Sequence, residues 1–180
     1  MKETLLVDMD GVLADFERGF ERTWRQKYPE LPFVPLEKRR NFYTEKDYPE
    51  ELRPLAKTIS RLPGFYRNLP PILGGIDALV ELSGIYDVRI CTSPHTDYEN
   101  CVLEKYQWVD EHLGREWIRR IILTKDKTFV MGKYLIDDKP AITGSQIPVW
   151  EQIIYDQPYN RHRTDLKRIN WENWMEVLKN

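Results

Sequence analysis

Val7-Asp8-Met9-Asp10-Gly11-Val12-Leu13 directly continues the apolar run Thr4-Leu5-Leu6-Val7. Two carboxylates therefore stand two residues apart just past a strand-like stretch, beside a glycine that permits a tight turn. In open α/β sheets, ligands bind outside the carboxyl ends of the strands, which is where these acids fall. Taken alone, the D-x-D pattern is equally a polar strand-end turn with a capping aspartate. The rest of the chain decides between the two.

Further short apolar runs read as strands buried on both faces: Val88-Arg89-Ile90-Cys91, Ile121-Ile122-Leu123, Tyr134-Leu135-Ile136 and Ile153-Ile154-Tyr155. Helical periods separate them. Val102, Tyr106, Val109 and Leu113 share one helical stripe, with Asp97 a candidate cap and Gly114 a candidate stop. Ile76, Leu79 and Val80 before Gly84 mark another helix, and Trp171, Trp174, Met175 and Leu178 a final amphipathic one behind the candidate cap Asn170. The expected fold class is α/β: a three-layer, Rossmann-like parallel sheet flanked by helices.

The segment from about Arg18 to Pro71 breaks this alternation, being rich in aromatics, prolines and charges without a buried-strand run. Phe16, Phe20, Trp24 and Tyr28 recur at every fourth position up to Pro29, and Leu52, Leu55, Ile59 and Leu62 mark a second helix ending near Pro63-Gly64. A small helical cap over residues 17–72 is therefore expected, inserted after the first strand of a catalytic core made of residues 1–16 and 73–180.

A chain of 180 residues suits one ordinary domain with such an insert. Its 27 basic and 29 acidic residues give a net charge of -2, without the basic excess that duplex binding requires, so no nucleic-acid polymer is expected as a partner. Cys91 and Cys101 lack C-x-x-C spacing and read as free thiols in a reducing compartment. No apolar stretch is long enough for a signal peptide or membrane span, which points to the cytoplasm and away from a membrane partner. His95, His112 and His162 share no metal-ligand spacing, leaving a histidine mechanism unsupported.

Three more strand ends carry polar chemistry. Ile90-Cys91-Thr92-Ser93-Pro94 sets two hydroxyls where a strand meets an expected helix, a place whose backbone N–H groups can bind phosphate. Leu123-Thr124-Lys125-Asp126-Lys127-Thr128 supplies two lysines, and Leu135-Ile136-Asp137-Asp138-Lys139 two adjacent carboxylates. A phosphate monoester repels anionic nucleophiles, so a carboxylate attacks it only where cations offset the repulsion and donors hold the phosphorus in line. Mg²⁺ suits that task, since it keeps several waters and needs only one or two carboxylates beside a backbone carbonyl and a phosphate oxygen.

The order D-M-D-G, T-S-P, T-K-D-K-T and I-D-D resembles the haloacid dehalogenase (HAD-like) superfamily of phosphatases and, more narrowly, the 5'(3')-deoxyribonucleotidase family. The likeness extends through Pro35-Leu36-Glu37, Arg39-Arg40, Glu104-Lys105-Tyr106, Arg120 to Thr128 and Asn160-Arg161-His162. It implies a magnesium-dependent phosphatase that dephosphorylates deoxyribonucleoside monophosphates through an aspartyl-phosphate. By position, Asp8 matches the nucleophile, Asp10 the general acid and base, Thr92 the phosphate-binding hydroxyl and Lys127 the charge-balancing lysine. The implied metal site uses Asp8, the carbonyl of Asp10 and Asp138, with Asp137 as a second or water-bridged acid that adjacency makes hard to separate from Asp138. Ser93, Lys105 and Lys125 become candidate auxiliary phosphate contacts, although Lys105 alone reads as a surface lysine.

The run Arg39-Arg40-Asn41-Phe42-Tyr43-Thr44 matches the family's base-binding segment, with Phe16 as the opposite wall. Phe42, Tyr43 and Thr44 are thus candidate substrate contacts, against the alternative that Phe16 and Phe42 only pack the cap. Relatives carry a Trp or Tyr shortly before a Gly-Phe-Phe-like step, whereas Thr58-Ile59-Ser60-Arg61-Leu62-Pro63-Gly64-Phe65-Tyr66 lacks it. The competing functions are a phosphatase of sugar or coenzyme phosphates, a phosphotransferase, and a non-catalytic nucleotide sensor. The expected partners are a small nucleotide substrate and, as a candidate assembly, a second copy in a homodimer.

Overall fold

The computed structural model describes residues 1–178. Six strands form one parallel sheet: β1 (Thr4–Val7), β2 (Asp87–Thr92), β3 (Ile121–Leu123), β4 (Tyr134–Asp137), β5 (Glu151–Tyr155) and β6 (Lys167–Ile169). Their order, β3-β2-β1-β4-β5-β6, places β1 at the centre. The chain winds outward from it in both directions, so the strand order reverses between β1 and β4, where ligands of doubly wound sheets bind. Successive β1 side chains enter opposite layers. Leu5 and Val7 join the large core, while Leu6 packs with Cys91, Leu135 and Trp150 on the other face.

The helices are α1 (Phe16–Lys27), α2 (Arg53–Ile59), α3 (Gly75–Ile85), α4 (Cys101–Leu113) and α5 (Trp174–Leu178). Asp15 starts α1, its carboxylate accepting from Arg18 N at 2.9 Å. Phe20 and Trp24 stack at 5.9 Å, and Tyr48 lies 4.6 Å from Trp24, so the segment between β1 and β2 has an aromatic nucleus of its own. Its two ends meet: Asp15 N donates to Pro70 O and Ile72 N to Leu13 O. None of the helices among the described residues is long and apolar enough to cross a membrane.

Several expected details change. β6 was not expected, because its sequence Lys167-Arg168-Ile169 has one buried side chain and two charged ones, as befits a protected edge. α2 ends at Ile59 and turns replace the expected continuation to Leu62, whereas α3 runs through Gly84 and leaves Val80 half exposed. α5 begins at Trp174, leaving Trp171 outside it, although Asn170 does accept from Glu172 N and Asn173 N. Asp97 does not cap α4, which starts four residues later, and instead pairs with Arg61 at 2.7 Å. The buried face of α4 is Cys101, Glu104, Lys105, Trp108 and Val109, not the stripe through Val102, Tyr106 and Leu113.

Glu104 explains part of that shift. Its buried carboxylate accepts from Gly64 N at 2.7 Å, from Tyr66 N at 3.0 Å and from the Tyr98 hydroxyl, tying the returning insert to α4. Glu104→Ala strips two buried donors and one half-buried donor of their acceptor, and each orphaned buried group costs about 1–3 kcal/mol before relaxation. The net destabilisation expected in urea denaturation is about 2–3 kcal/mol. A loss below about 0.5 kcal/mol would mean that water serves these donors equally well.

Candidate active site

The carboxyl ends of β1, β2 and β4 and the turn after β3 open into a cavity of about 490 Å³, roofed by Phe16, Phe42, Tyr43 and Thr44. Asp8 and Asp10 sit on the loop that leaves β1. That loop turns at Gly11, whose φ of 75° and close approach to Asp138 exclude a side chain: a Cβ there would lie 2.4 Å from Asp138 Oδ2. After β3, Asp126 accepts from Thr128 N at 2.9 Å and fixes a 3₁₀ turn that carries Lys127 inward.

Lys127 is buried with its Nζ 2.5 Å from Asp137 Oδ2 and 2.8 Å from Asp8 Oδ1. Burial opposes its charge, but the carboxylates of Asp137 and Asp8 outweigh that cost and hold the ammonium above the usual lysine range. Asp137 is fully engaged, since its Oδ1 also accepts from Lys139 N at 2.9 Å. Burial, partly offset by Lys127, raises its carboxyl to about 6. Asp138 is different. Burial and the neighbouring charges of Asp137 and Asp8 push it well above the usual carboxylate range, Lys127 offsetting them only in part and no lysine among the described residues pairing with it directly.

Beneath the cavity, Lys105 bridges Asp10 Oδ2 at 2.5 Å and Thr92 Oγ1 at 3.0 Å, with the ring of Tyr66 5.0 Å from its Nζ. It is wholly buried, so the surface position suggested by its residue type is wrong: the carboxylate, hydroxyl and ring provide an interior niche for the cation. Asp10 is nonetheless shifted upward, burial outweighing Lys105. Ser93 Oγ donates to Thr124 O at 2.8 Å and Lys125 Nζ to Pro94 O at 2.9 Å, both at the cavity wall. No helix begins at the Thr92-Ser93 turn, so the expected helix-end phosphate site is absent there.

Asp8, Asp137 and Asp138 each offer a carboxylate oxygen within 4.8 Å of the other two, the one such acidic group among the described residues. Asp10 Oδ1 and Asp138 Oδ1 are buried without a hydrogen-bond partner, while Asp8 Oδ1 meets Lys127 as an ion pair outside hydrogen-bond geometry. Hard oxygen donors in negative excess, with an unpartnered oxygen on Asp138, fit a hard divalent cation. Cys91 is not a rival nucleophile, because burial raises its thiol to about 12.

The family model described as 5' nucleotidase, deoxy (pyrimidine), cytosolic type C protein matches residues 2–179. The chain belongs to this family. A Bordetella pertussis protein provisionally named 5'(3')-deoxyribonucleotidase is 53% identical over 97% of this chain and 94% of its own. The human 5'(3')-deoxyribonucleotidase, cytosolic type, is 47% identical over 97% of this chain and 92% of its own. The provisionally named HAD-hydrolase YfnB of Bacillus subtilis, solved bound to magnesium, superposes with a TM-score of 0.64 at 14% identity, covering 99% of both chains. The fold is therefore HAD-like, and the family membership makes the chain a phosphoric monoester hydrolase of the 5'-nucleotidase type.

For this family member the cavity gathers Asp8, Asp10, Phe16, Phe42, Tyr43, Thr44, Thr92, Ser93, Lys125, Lys127, Asp137 and Asp138. Lys105 lies behind the wall rather than in it. The sequence did not single out Tyr159, whose hydroxyl donates to Asp138, or the buried Arg39 pairs with Glu17 at 2.6 Å and Asp47 at 2.7 Å. Arg39 and Asn160 were legible only as members of longer matching runs.

Proposed function

We propose that the protein is a magnesium-dependent 5'(3')-deoxyribonucleotidase that works through a phosphorylated Asp8, with the insert after β1 acting as a cap over the core. The reading rests above all on one juxtaposition: Asp8 stands 2.8 Å from the Lys127 ammonium and clusters within 4.8 Å with a carboxylate oxygen of Asp138, a residue whose Oδ1 has no partner. Asp8, the carbonyl of Asp10 and Asp138 would hold Mg²⁺, which supplies charge compensation and alignment for the phosphate. Asp8 attacks phosphorus, the ester P–O bond breaks, and Asp10 gives its proton to the departing nucleoside oxygen. The upward shift of Asp10 suits it to carry that proton. A water then attacks the phosphoryl group on Asp8, Asp10 takes its proton, and inorganic phosphate leaves with both aspartates restored.

Lys105 keeps the Asp10 carboxylate in place through its 2.5 Å contact rather than touching phosphate directly. Thr92, Ser93 and Lys125 supply further phosphate donors around Lys127. The deoxyribonucleoside part of the reading draws on the family's printed description and on the human relative's name, together with an aromatic roof suited to a base. It is tested by phosphate release from deoxyribo- and ribonucleoside monophosphates, sugar phosphates and an aryl phosphate, with magnesium and with chelator. Deoxyribonucleotides should turn over fastest and chelator should stop them. A sugar phosphate preferred over every nucleotide would make it another HAD-like phosphatase, and transfer to an alcohol in place of water a phosphotransferase.

Phe42 tests the roof. Its ring meets Tyr43 at 5.2 Å and Tyr159 at 6.0 Å, while Phe16 leans edge-on against Phe65 at 5.3 Å. Base stacking is worth roughly 1–3 kcal/mol, so Phe42→Ala should lower kcat/KM for nucleotides about 5- to 150-fold, mainly through KM, and barely affect an aryl phosphate. Equal loss on both substrates would assign Phe42 to holding the cap together. In the helix and turn leading to Gly64 the residues that face the cavity are Ala56, Lys57, Ser60 and Arg61, with no Trp or Tyr among them, so discrimination among bases should be loose.

A further inference from the structure

The turn after β5, Gln157-Pro158-Tyr159-Asn160, grips both catalytic loops at once. Gln157 Nε2 donates to Gly11 O at 2.9 Å. Asn160 Nδ2 donates to Asp138 O at 2.8 Å and to Tyr155 O at 2.7 Å, and Arg168 holds the Asn160 Oδ1 at 2.7 Å, which fixes the amide's orientation. Tyr159 completes the grip by donating its hydroxyl to Asp138 Oδ2, the oxygen against which the Gly11 backbone also packs. The consequence is asymmetric: Oδ2 is occupied, while Oδ1 is buried and has no partner.

We propose that Tyr159 is a positioning residue for cation binding: by taking Asp138 Oδ2 it turns Oδ1 toward the cation. The proposal rests on the reading of Asp138 as a magnesium ligand. The adjacent Asp137 is less available, because Lys127 and Lys139 N each hold one of its oxygens. The ring is itself held from the insert, with the Arg39 guanidinium 5.6 Å from its centroid and Phe42 edge-on at 6.0 Å. One side chain thereby joins the base roof to the metal carboxylate.

Groups that orient a metal ligand typically contribute about 10–100-fold to metal affinity. The test follows the thermal midpoint of wild type, Tyr159→Phe and Asp138→Ala as magnesium is added without substrate, each measured against its own metal-free midpoint. Tyr159→Phe keeps the ring and its packing. It should need about 10–100-fold more magnesium than wild type for the same rise, and its phosphate release should recover as magnesium is raised. Asp138→Ala should show little rise at any concentration. If Tyr159→Phe responds like wild type while Asp138→Ala does not respond, the positioning role is overturned and the Asp138 reading stands. A normal response from Asp138→Ala would remove the ligand reading and the proposal with it. An activity loss in Tyr159→Phe that magnesium fails to reverse, with an unchanged midpoint response, would likewise overturn it.

Discussion

Asp8→Asn is expected to fold and to lose turnover by on the order of 10⁴-fold or more, because an amide cannot form the acyl-phosphate that the proposed mechanism requires. The geometry makes this a clean test. Asp8 adds negative charge to a pocket that already holds Asp137 and Asp138, and its charge contributes to raising both of their carboxyls. Replacing it with an isosteric amide relieves that repulsion, so the metal-free variant should be no less stable than wild type. Loss of activity with a retained or raised unfolding midpoint therefore assigns Asp8 to chemistry. Acid-quenched wild type should carry covalent phosphate during turnover, and the variant none. Turnover near the wild-type rate would sink the covalent mechanism.

The sheet was legible where a strand contains a short apolar run, as β1, β2, β4 and β5 do in their buried stretches and Ile121-Ile122-Leu123 does in the half-buried β3. β6 was not, since an edge strand uses charge for protection, Lys167 pairing with Glu151 at 3.0 Å and Arg168 with Asp156 at 2.8 Å. The face of α4 was misread for a related reason. Its inward side includes Glu104 and Lys105, one clamping the insert and one holding Asp10, and a hydrophobic period cannot count buried charges that have been satisfied by partners. At the site, short motifs at strand ends were visible because topology brings strand ends together. Tyr159 and Asn160 act from a turn with no such spacing, and their partners lie 21 and 22 residues away, beyond what local pattern records.

Lys127→Ala should slow hydrolysis by on the order of 10²- to 10³-fold, the effect of removing a preorganised charge aimed at a transferring phosphoryl group. Lys127 has no substitute on its own turn. Its Nζ is the cation nearest Asp8, and the site surrounds it with three carboxylates whose mutual repulsion it offsets. Without it Asp137 and Asp8 lose their counter-charge, and the phosphoryl group loses the cation nearest to the attacking carboxylate. That charge counts most where negative charge develops in the transition state, which is why the loss should fall mainly on kcat. Lys125 offers the contrast: it lies at the cavity edge with Nζ on the Pro94 carbonyl, where solvent screens it, and Lys125→Ala should cost less than about tenfold. Measuring both variants under saturating magnesium separates charge on the phosphoryl group from metal binding. A larger loss for Lys125→Ala than for Lys127→Ala would place the phosphate on the opposite side of the turn and remove Asp8 from line with it.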